Sequence, residues 1–265
     1  MRSSSSSGRA PTTRRGPGWV PNQHGAWAML ASPLLVGVLA SGPAWIHLPL
    51  AAFWFVGYFA FFATGLWLKS SRRARYLPPV RVHGLTAAAL GAAVLALDGT
   101  LALWIPVFVV PLGIGLWSSA RRTDRSLVSG LSTTVGSALM TVVAYDAGGG
   151  QDWLRAGVLA AVQAAYFAGT VFYVKSLIRE RGNQAFARAG VAFHAACVVL
   201  AAGAVLMFEG RPHPWGVSWW VVSVFVALTL RAGWVPRLAT PPTPARIGVG
   251  EIASTTAVAV SSLLA

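Results

Sequence analysis

The sequence predicts an all-α polytopic membrane bundle of nine transmembrane helices, and three observations carry that prediction. Apolar residues make up 55 % of the 265-residue chain and charged residues only 11 %, with a mean hydropathy of +0.60. A soluble chain carries about a quarter charged residues, so most of this surface is suited to lipid. Nine apolar runs recur along the chain, each close to the ~20 residues a helix needs to cross a bilayer. Lys and Arg collect in alternate connections between those runs, the pattern that fixes membrane orientation.

Residues 1–23 are rich in Ser, Pro, Gly and Arg and cannot build a core, so they are expected to form a disordered basic cytoplasmic arm. Residues 24–265 form the transmembrane helical domain. The length of the arm and the eight further apolar runs argue against a cleaved signal peptide. The first span, 24–41, follows PNQHG and contains Pro33, which is expected to kink it. The second, 47–68, is aromatic-rich and runs into Lys69. Spans 83–98 and 100–117 meet at the hairpin Asp98-Gly99-Thr100, and Pro106 and Pro111 are expected to kink the later one. Spans 127–146 and 154–175 follow, the latter running into KSLIRER.

Span 187–208 carries His194 at mid-depth, where an ionisable side chain is costly, and Cys197, which has no partner for a disulfide. Spans 215–233 and 247–264 complete the set. The last is the weakest, rich in Ser, Thr and Ala, with Glu251 near its start. Glu251 is expected to neutralise a loop arginine such as Arg246, and Asp124 to pair with its arginine neighbours. His47 and His213 read as ordinary loop residues.

With the N-terminus inside, the inner segments are 1–23, 69–82, 118–126, 176–186 and 234–246. Of the 21 Lys and Arg residues, only Arg155 and Arg211 fall outside these segments and their flanking helix ends. The outer turns instead hold Asp98, Asp146, Asp152 and Glu209. The expectation is therefore a multi-pass protein of the bacterial cell membrane, N-in and C-out. The net charge of +14 then reflects orientation and contact with anionic headgroups at the inner face, not nucleic acid.

FFATGLWLKSSRRAR (61–75) is echoed by FAGTVFYVKSLIRER (167–181), with Phe61/Phe167, Thr64/Thr170, Lys69/Lys175, Ser70/Ser176, Arg73/Arg179 and Arg75/Arg181 in register. Both copies end a helix of the same direction, as a parallel repeat of helices 1–4 and 5–8 would place them; in such repeats ligands bind at the interface. Lys69 with Arg73, and Lys175 with Arg179, are i,i+4 pairs on one helical face. If helices 2 and 6 pack together, four cations converge, with Arg181 and Asn183 beside them. Guanidinium forks match phosphate or carboxylate oxygens. The plainer role for the same residues is to snorkel to headgroups and fix topology. His24, at the start of the first span beside Gly25, and His83, on the same side of the membrane, are further ligand candidates.

No phosphate-binding loop, zinc-protease motif, Cys/His metal spacing or dinucleotide fingerprint is present, so no cofactor or metal is expected.

PNQHGAWAML (21–30) and YVKSLIRERGN (173–183), together with RYLPP (75–79) and RTDRSL (122–127), resemble the YwiC-like family of bacterial integral membrane proteins over most of residues 19–195. No activity comes with that resemblance. The architecture is also similar to that of the UbiA-type intramembrane prenyltransferases, which hold magnesium and a prenyl diphosphate on Asp-rich motifs after helices 2 and 6. Here loop 69–82 has no Asp or Glu, and loop 176–186 has only Glu180. The expected function is binding or transport of an anionic or lipid-phosphate ligand at the cytoplasmic mouth. The alternatives are a transferase acting without the Asp/magnesium site, and a non-catalytic assembly or regulatory protein.

Overall fold

The computed structural model describes residues 18–21, 24–208, 217–238, 240 and 242–264. Most of the basic arm, with Glu209, Arg211 and His213, lies outside the described residues. Nine α-helices and no strands occur among those described: α1 (His24–Ser41), α2 (His47–Lys69), α3 (Leu77–Leu97), α4 (Ile105–Ala120), α5 (Leu127–Ala147), α6 (Trp153–Ile178), α7 (Gln184–Phe208), α8 (Trp219–Trp234) and α9 (Pro244–Leu263). Seven helical segments are long and apolar enough to cross a membrane; α1 is apolar but shorter, over Gly25–Ser41, and α9 is not among the seven. This is a helical membrane protein.

The helix starts follow local chemistry. Ser126 accepts a hydrogen bond from the Ser129 amide ahead of α5, and Asp152 one from the Arg155 amide ahead of α6, each satisfying a first-turn donor. α3 begins at Leu77, ahead of the expected 83, because Pro78 falls in its first turn, where a missing amide proton costs nothing. Pro106 likewise sits at the start of α4, after the 3-10 turn Gly99–Trp104, so the kink expected there is replaced by a helix start. Pro33 and Pro111 do lie inside α1 and α4. Pro33 deprives the Met29 carbonyl of its helical donor, and the Ser137 hydroxyl of α5 donates to it instead.

That bond belongs to the central packing. α5 is the most deeply set helix, flanked by α1 and α6. Its buried face is built from Ser129, Ser132, Thr134, Ser137, Ala138 and Thr141, small groups that let helices approach closely without a hydrophobic drive between them. At Gly37 of α1 a Cβ would collide with the Thr141 carbonyl, so only glycine permits this approach. α2 packs on α3 and α4, α7 on α8, and α9 against α1, α6 and α8. Three apolar clusters result among the described residues: one around Leu34, Leu50, Val94 and Met140, one around Tyr166, Phe167, Val221 and Phe225, and a smaller one of Tyr173, Leu177 and Ala232.

His47 is not an ordinary loop residue. It opens α2, is 6 % exposed, and uses both ring nitrogens. Nδ1 accepts from the Ala44 amide at 2.9 Å, so Nε2 carries the proton and donates to the Ala144 carbonyl at 2.8 Å. A neutral imidazole thus pins the start of α2 to the end of α5.

Candidate functional site

Helices α1–α5 surround a cavity of about 1560 Å³. Its depth is walled by apolar and aromatic groups such as Leu50, Phe53, Trp54, Phe108 and Met140. Glycines recur along its walls, most of them where a neighbour packs close: a Cβ on Gly65, Gly91, Gly115 or Gly136 would meet Ser119, Phe53, Phe61 or Pro111. Gly57, Gly65, Gly91, Gly115 and Gly136 all line it, and no atom lies within 4 Å of where a Cβ on Gly57 would stand. Glycine inside a helix costs roughly 0.5–1 kcal/mol relative to Ala, so five of them along one cavity are a cumulative expense in stability.

The polar mouth lies at the Lys69 end. Lys69, Asp124, Arg125 and Arg179 line it together. The Lys69 ammonium reaches both carboxylate oxygens of Asp124 at 2.9 Å. The pair is more than a quarter exposed on both sides, which limits its contribution to at most about 1 kcal/mol. The next residue, Arg125, offers its carbonyl to the Lys175 ammonium at 2.7 Å. Lys175 in turn accepts at its own carbonyl from the Arg179 amide, at the end of α6. A continuous chain of contacts therefore runs Lys69, Asp124, Arg125, Lys175, Arg179.

Two loops lock together beside it. Arg122 donates from Nε to the Lys69 carbonyl at 3.2 Å and from its terminal nitrogen to Ser71 Oγ at 3.1 Å. Ser71, Arg72 and Arg122 all hold positive φ, near 60°, a conformation costing non-glycine residues of order 1–3 kcal/mol each. Asp124 therefore does not pair with its arginine neighbours as expected. Arg122 is committed to the α2 end, and Lys69 reaches the carboxylate from across the mouth.

The candidate cations separate into distinct groups. α2 and α6 do not pack as a pair: α2 lies on α3 and α4, and the α4–α5 loop fills the space between the two lysines. Lys69 and Arg179 line the cavity, while Lys175 holds the Arg125 backbone behind it. Arg73 and Arg181 are exposed and do not line it. Asn183 caps α7, accepting from the Phe186 amide at 3.1 Å and donating to Glu180 at 2.9 Å. His83 stands behind the wall, where it hydrogen-bonds the Trp19 carbonyl at 3.2 Å and meets the rings of Trp19 and Phe59 edge-on. It thereby draws Gly18–Val20, the end of the basic arm, onto the rim of the cavity. The side chain of His24 lies outside the described residues, and a Cβ on Gly25 would meet no atom within 4 Å.

Arg125 is the mouth residue the sequence reasoning missed. It stands in RTDRSL, directly after Asp124, the residue that meets Lys69 across the mouth.

A second polar centre lies in the other half of the bundle. Arg231 of α8 pairs with Glu251 of α9 at 2.9 Å and stacks over the Tyr173 ring at 4.1 Å. The Tyr166 and Thr170 hydroxyls donate to the same carboxylate at 3.1 and 2.8 Å, and Arg231 also donates to Ser254 at 2.9 Å. The expected partner of Glu251, Arg246, lies five residues earlier on the same helix. That spacing turns the two side chains away from each other, and Arg231 approaches from the neighbouring helix instead. His194 is 2 % exposed and donates from Nδ1 to the Gly190 carbonyl of its own helix at 2.7 Å, with its ring over Gly169. It does not line the cavity. Among the described residues no group of three or more His, Cys, Asp or Glu is placed to hold a metal ion.

Comparison with known proteins adds relatives to this geometry. The family described as YwiC-like protein matches residues 20–145, which run from the rim of the cavity to α5. Uncharacterized protein YwiC of Bacillus subtilis (strain 168) is 31 % identical over 184 residues, 66 % of this chain and 73 % of that protein. An uncharacterized protein of Haemophilus influenzae is 23 % identical over 181 residues, 68 % of this chain and 76 % of its own length. No solved structure matches the chain.

Proposed function

The chain belongs to the YwiC-like family, and on that premise we propose that it binds or carries a lipid phosphate at the cytoplasmic mouth of the bundle. One observation carries the reading: the apolar cavity enclosed by the five helices α1–α5 opens beside two guanidinium groups, Arg125 and Arg179. At about 1560 Å³ the space exceeds the roughly 300–1,000 Å³ of ordinary small-molecule pockets, and its walls suit a long apolar tail. The guanidiniums suit the head, because their planar forks match phosphate oxygens bidentately. The concentration of Lys and Arg at this end supports its being the cytoplasmic side of a cell-membrane protein.

Lys69 and Lys175 have supporting tasks in this reading. Lys69 is neutralised by Asp124, and Lys175 fixes the backbone that presents Arg125. Native mass spectrometry of the full chain released from gentle detergent tests the proposal. The expected spectrum carries an added lipid mass that disappears in the Arg125→Ala, Arg179→Ala double variant, with membrane insertion unchanged. A lipid retained equally by that variant, or a bare protein from the native membrane, overturns it.

A further inference from the structure

Resting on that reading, we infer that the head group is a phosphomonoester dianion at the end of a long apolar chain, and that Asp124 sets this preference. The charges at the mouth make the case. Of the side chains lining it, Lys69 and Asp124 cancel each other, their contacts both at 2.9 Å. Arg125 and Arg179 remain, and among the described residues neither guanidinium has a carboxylate within 4.0 Å. Glu180, the acid nearest in sequence to Arg179, is engaged by Asn183 instead. The lining thus presents two net positive charges, both on guanidinium groups.

A phosphodiester head brings one negative charge, and its second ester substituent occupies one face of the phosphorus. A monoester brings about −1.5 to −2 at neutral pH and three terminal acceptor oxygens, enough to meet two planar forks at once. A diphosphate brings more charge than the two guanidiniums balance, and it would meet the Asp124 carboxylate on the same rim. The position of Arg125 is built, not incidental: its carbonyl is held by Lys175 and its preceding residue by Lys69. Asp124 thereby acts twice, withholding the Lys69 charge from the ligand and fixing one side of the loop that carries Arg125.

The experiment is a lipid titration of the purified full chain followed by native mass spectrometry. The probes are phosphatidic acid, phosphatidylglycerol and diacylglycerol diphosphate of identical acyl chains. The wild type is expected to bind phosphatidic acid about tenfold more tightly than phosphatidylglycerol, the scale of one charged hydrogen bond. Asp124→Asn adds one net positive charge, and its expected effect is to move the preference toward the diphosphate. Equal or tighter binding of phosphatidylglycerol by the wild type overturns the inference while leaving lipid-phosphate binding in place. Failure of all three lipids to bind overturns both. An excess of inorganic phosphate is expected to leave phosphatidic acid bound; complete displacement identifies free phosphate as the ligand and overturns the lipid assignment. Because the comparison of phosphatidic acid with phosphatidylglycerol uses only the wild type, poor folding of the Asp124 variant leaves the test intact.

Discussion

Lys69 and Lys175, the matched lysines of the two echoed segments, are held by consecutive residues of one loop. Lys69 bonds the Asp124 carboxylate at 2.9 Å and Lys175 the Arg125 carbonyl at 2.7 Å. The α4–α5 loop is therefore the bridge between the ends of α2 and α6, which do not pack as a pair. Asp124 and Arg125 are the two central residues of a turn closed by the Ser126 amide on the Thr123 carbonyl, so one short loop offers the side chain of the first and the backbone carbonyl of the second.

Lys175→Met removes one of those two anchors. Losing a partly solvated charged hydrogen bond is expected to lower the local opening free energy by about 1 kcal/mol. Amide exchange over residues 121–126 should then quicken about fivefold in hydrogen–deuterium mass spectrometry. Unchanged exchange there would show that the loop holds its shape without Lys175.

Arg73→Ala and Arg181→Ala separate orientation from ligand contact. Both side chains are exposed and off the cavity lining, so bound lipid in native mass spectra should match the wild type within about twofold, the ordinary scatter of surface substitutions. A loss comparable to that of Arg179→Ala would move the binding surface outward from the cavity.

The Arg231–Glu251 pair makes a stability prediction unconnected with the cavity. The two side chains are 19 % and 12 % exposed, so Arg231→Met or Glu251→Leu alone leaves its partner mostly buried without its countercharge. The expected loss is about 3 kcal/mol, the lower end for such pairs because the Tyr166, Thr170 and Ser254 hydrogen bonds remain. Making both changes together should recover much of that loss. Thermal unfolding in detergent of the two single variants and the double variant measures the coupling; additive losses would mean the charges do not act as a pair.

Gly57→Phe fills the cavity from its wall. No atom stands within 4 Å of its prospective Cβ, and Phe is a somewhat better helix former than Gly, by about 0.5 kcal/mol. The variant should keep or slightly raise its melting temperature while losing the bound lipid mass. Retention of lipid with unchanged stoichiometry would place the tail outside this cavity.

The sequence made the helices legible because their signals are local. The first span, expected at 24–41, coincides with α1, and the run ending at Lys69 with α2. Hydropathy, capping residues and terminal charge all lie within a few positions of the boundary they mark. Cross-chain partnerships were not legible for the opposite reason. Asp124 sits beside Arg122 and Arg125 in sequence, and Glu251 five residues from Arg246, yet Lys69 and Arg231 are their partners. Choosing those partners requires knowing which helices are neighbours, and apolar runs facing lipid on one side say little about the other. His47 was misread in the same way, since its acceptor at Ala144 lies three helices on. The extent of the cavity was not legible because it depends on how five helices pack, and hydropathy registers composition, not volume.

The order of the chain also sets an order of assembly. The cavity walls come from α1–α5, whereas Arg179 follows α6. During synthesis the apolar chamber can therefore be enclosed while its mouth still lacks one of its two guanidiniums, which arrives only when α6 has passed into the bilayer and docked on α5. Until that docking, Arg125 also lacks the Lys175 contact that steadies its backbone. On the proposed function, the ligand site is completed late in biogenesis, when docking of α6 on α5 brings Arg179 to the rim that already carries Arg125.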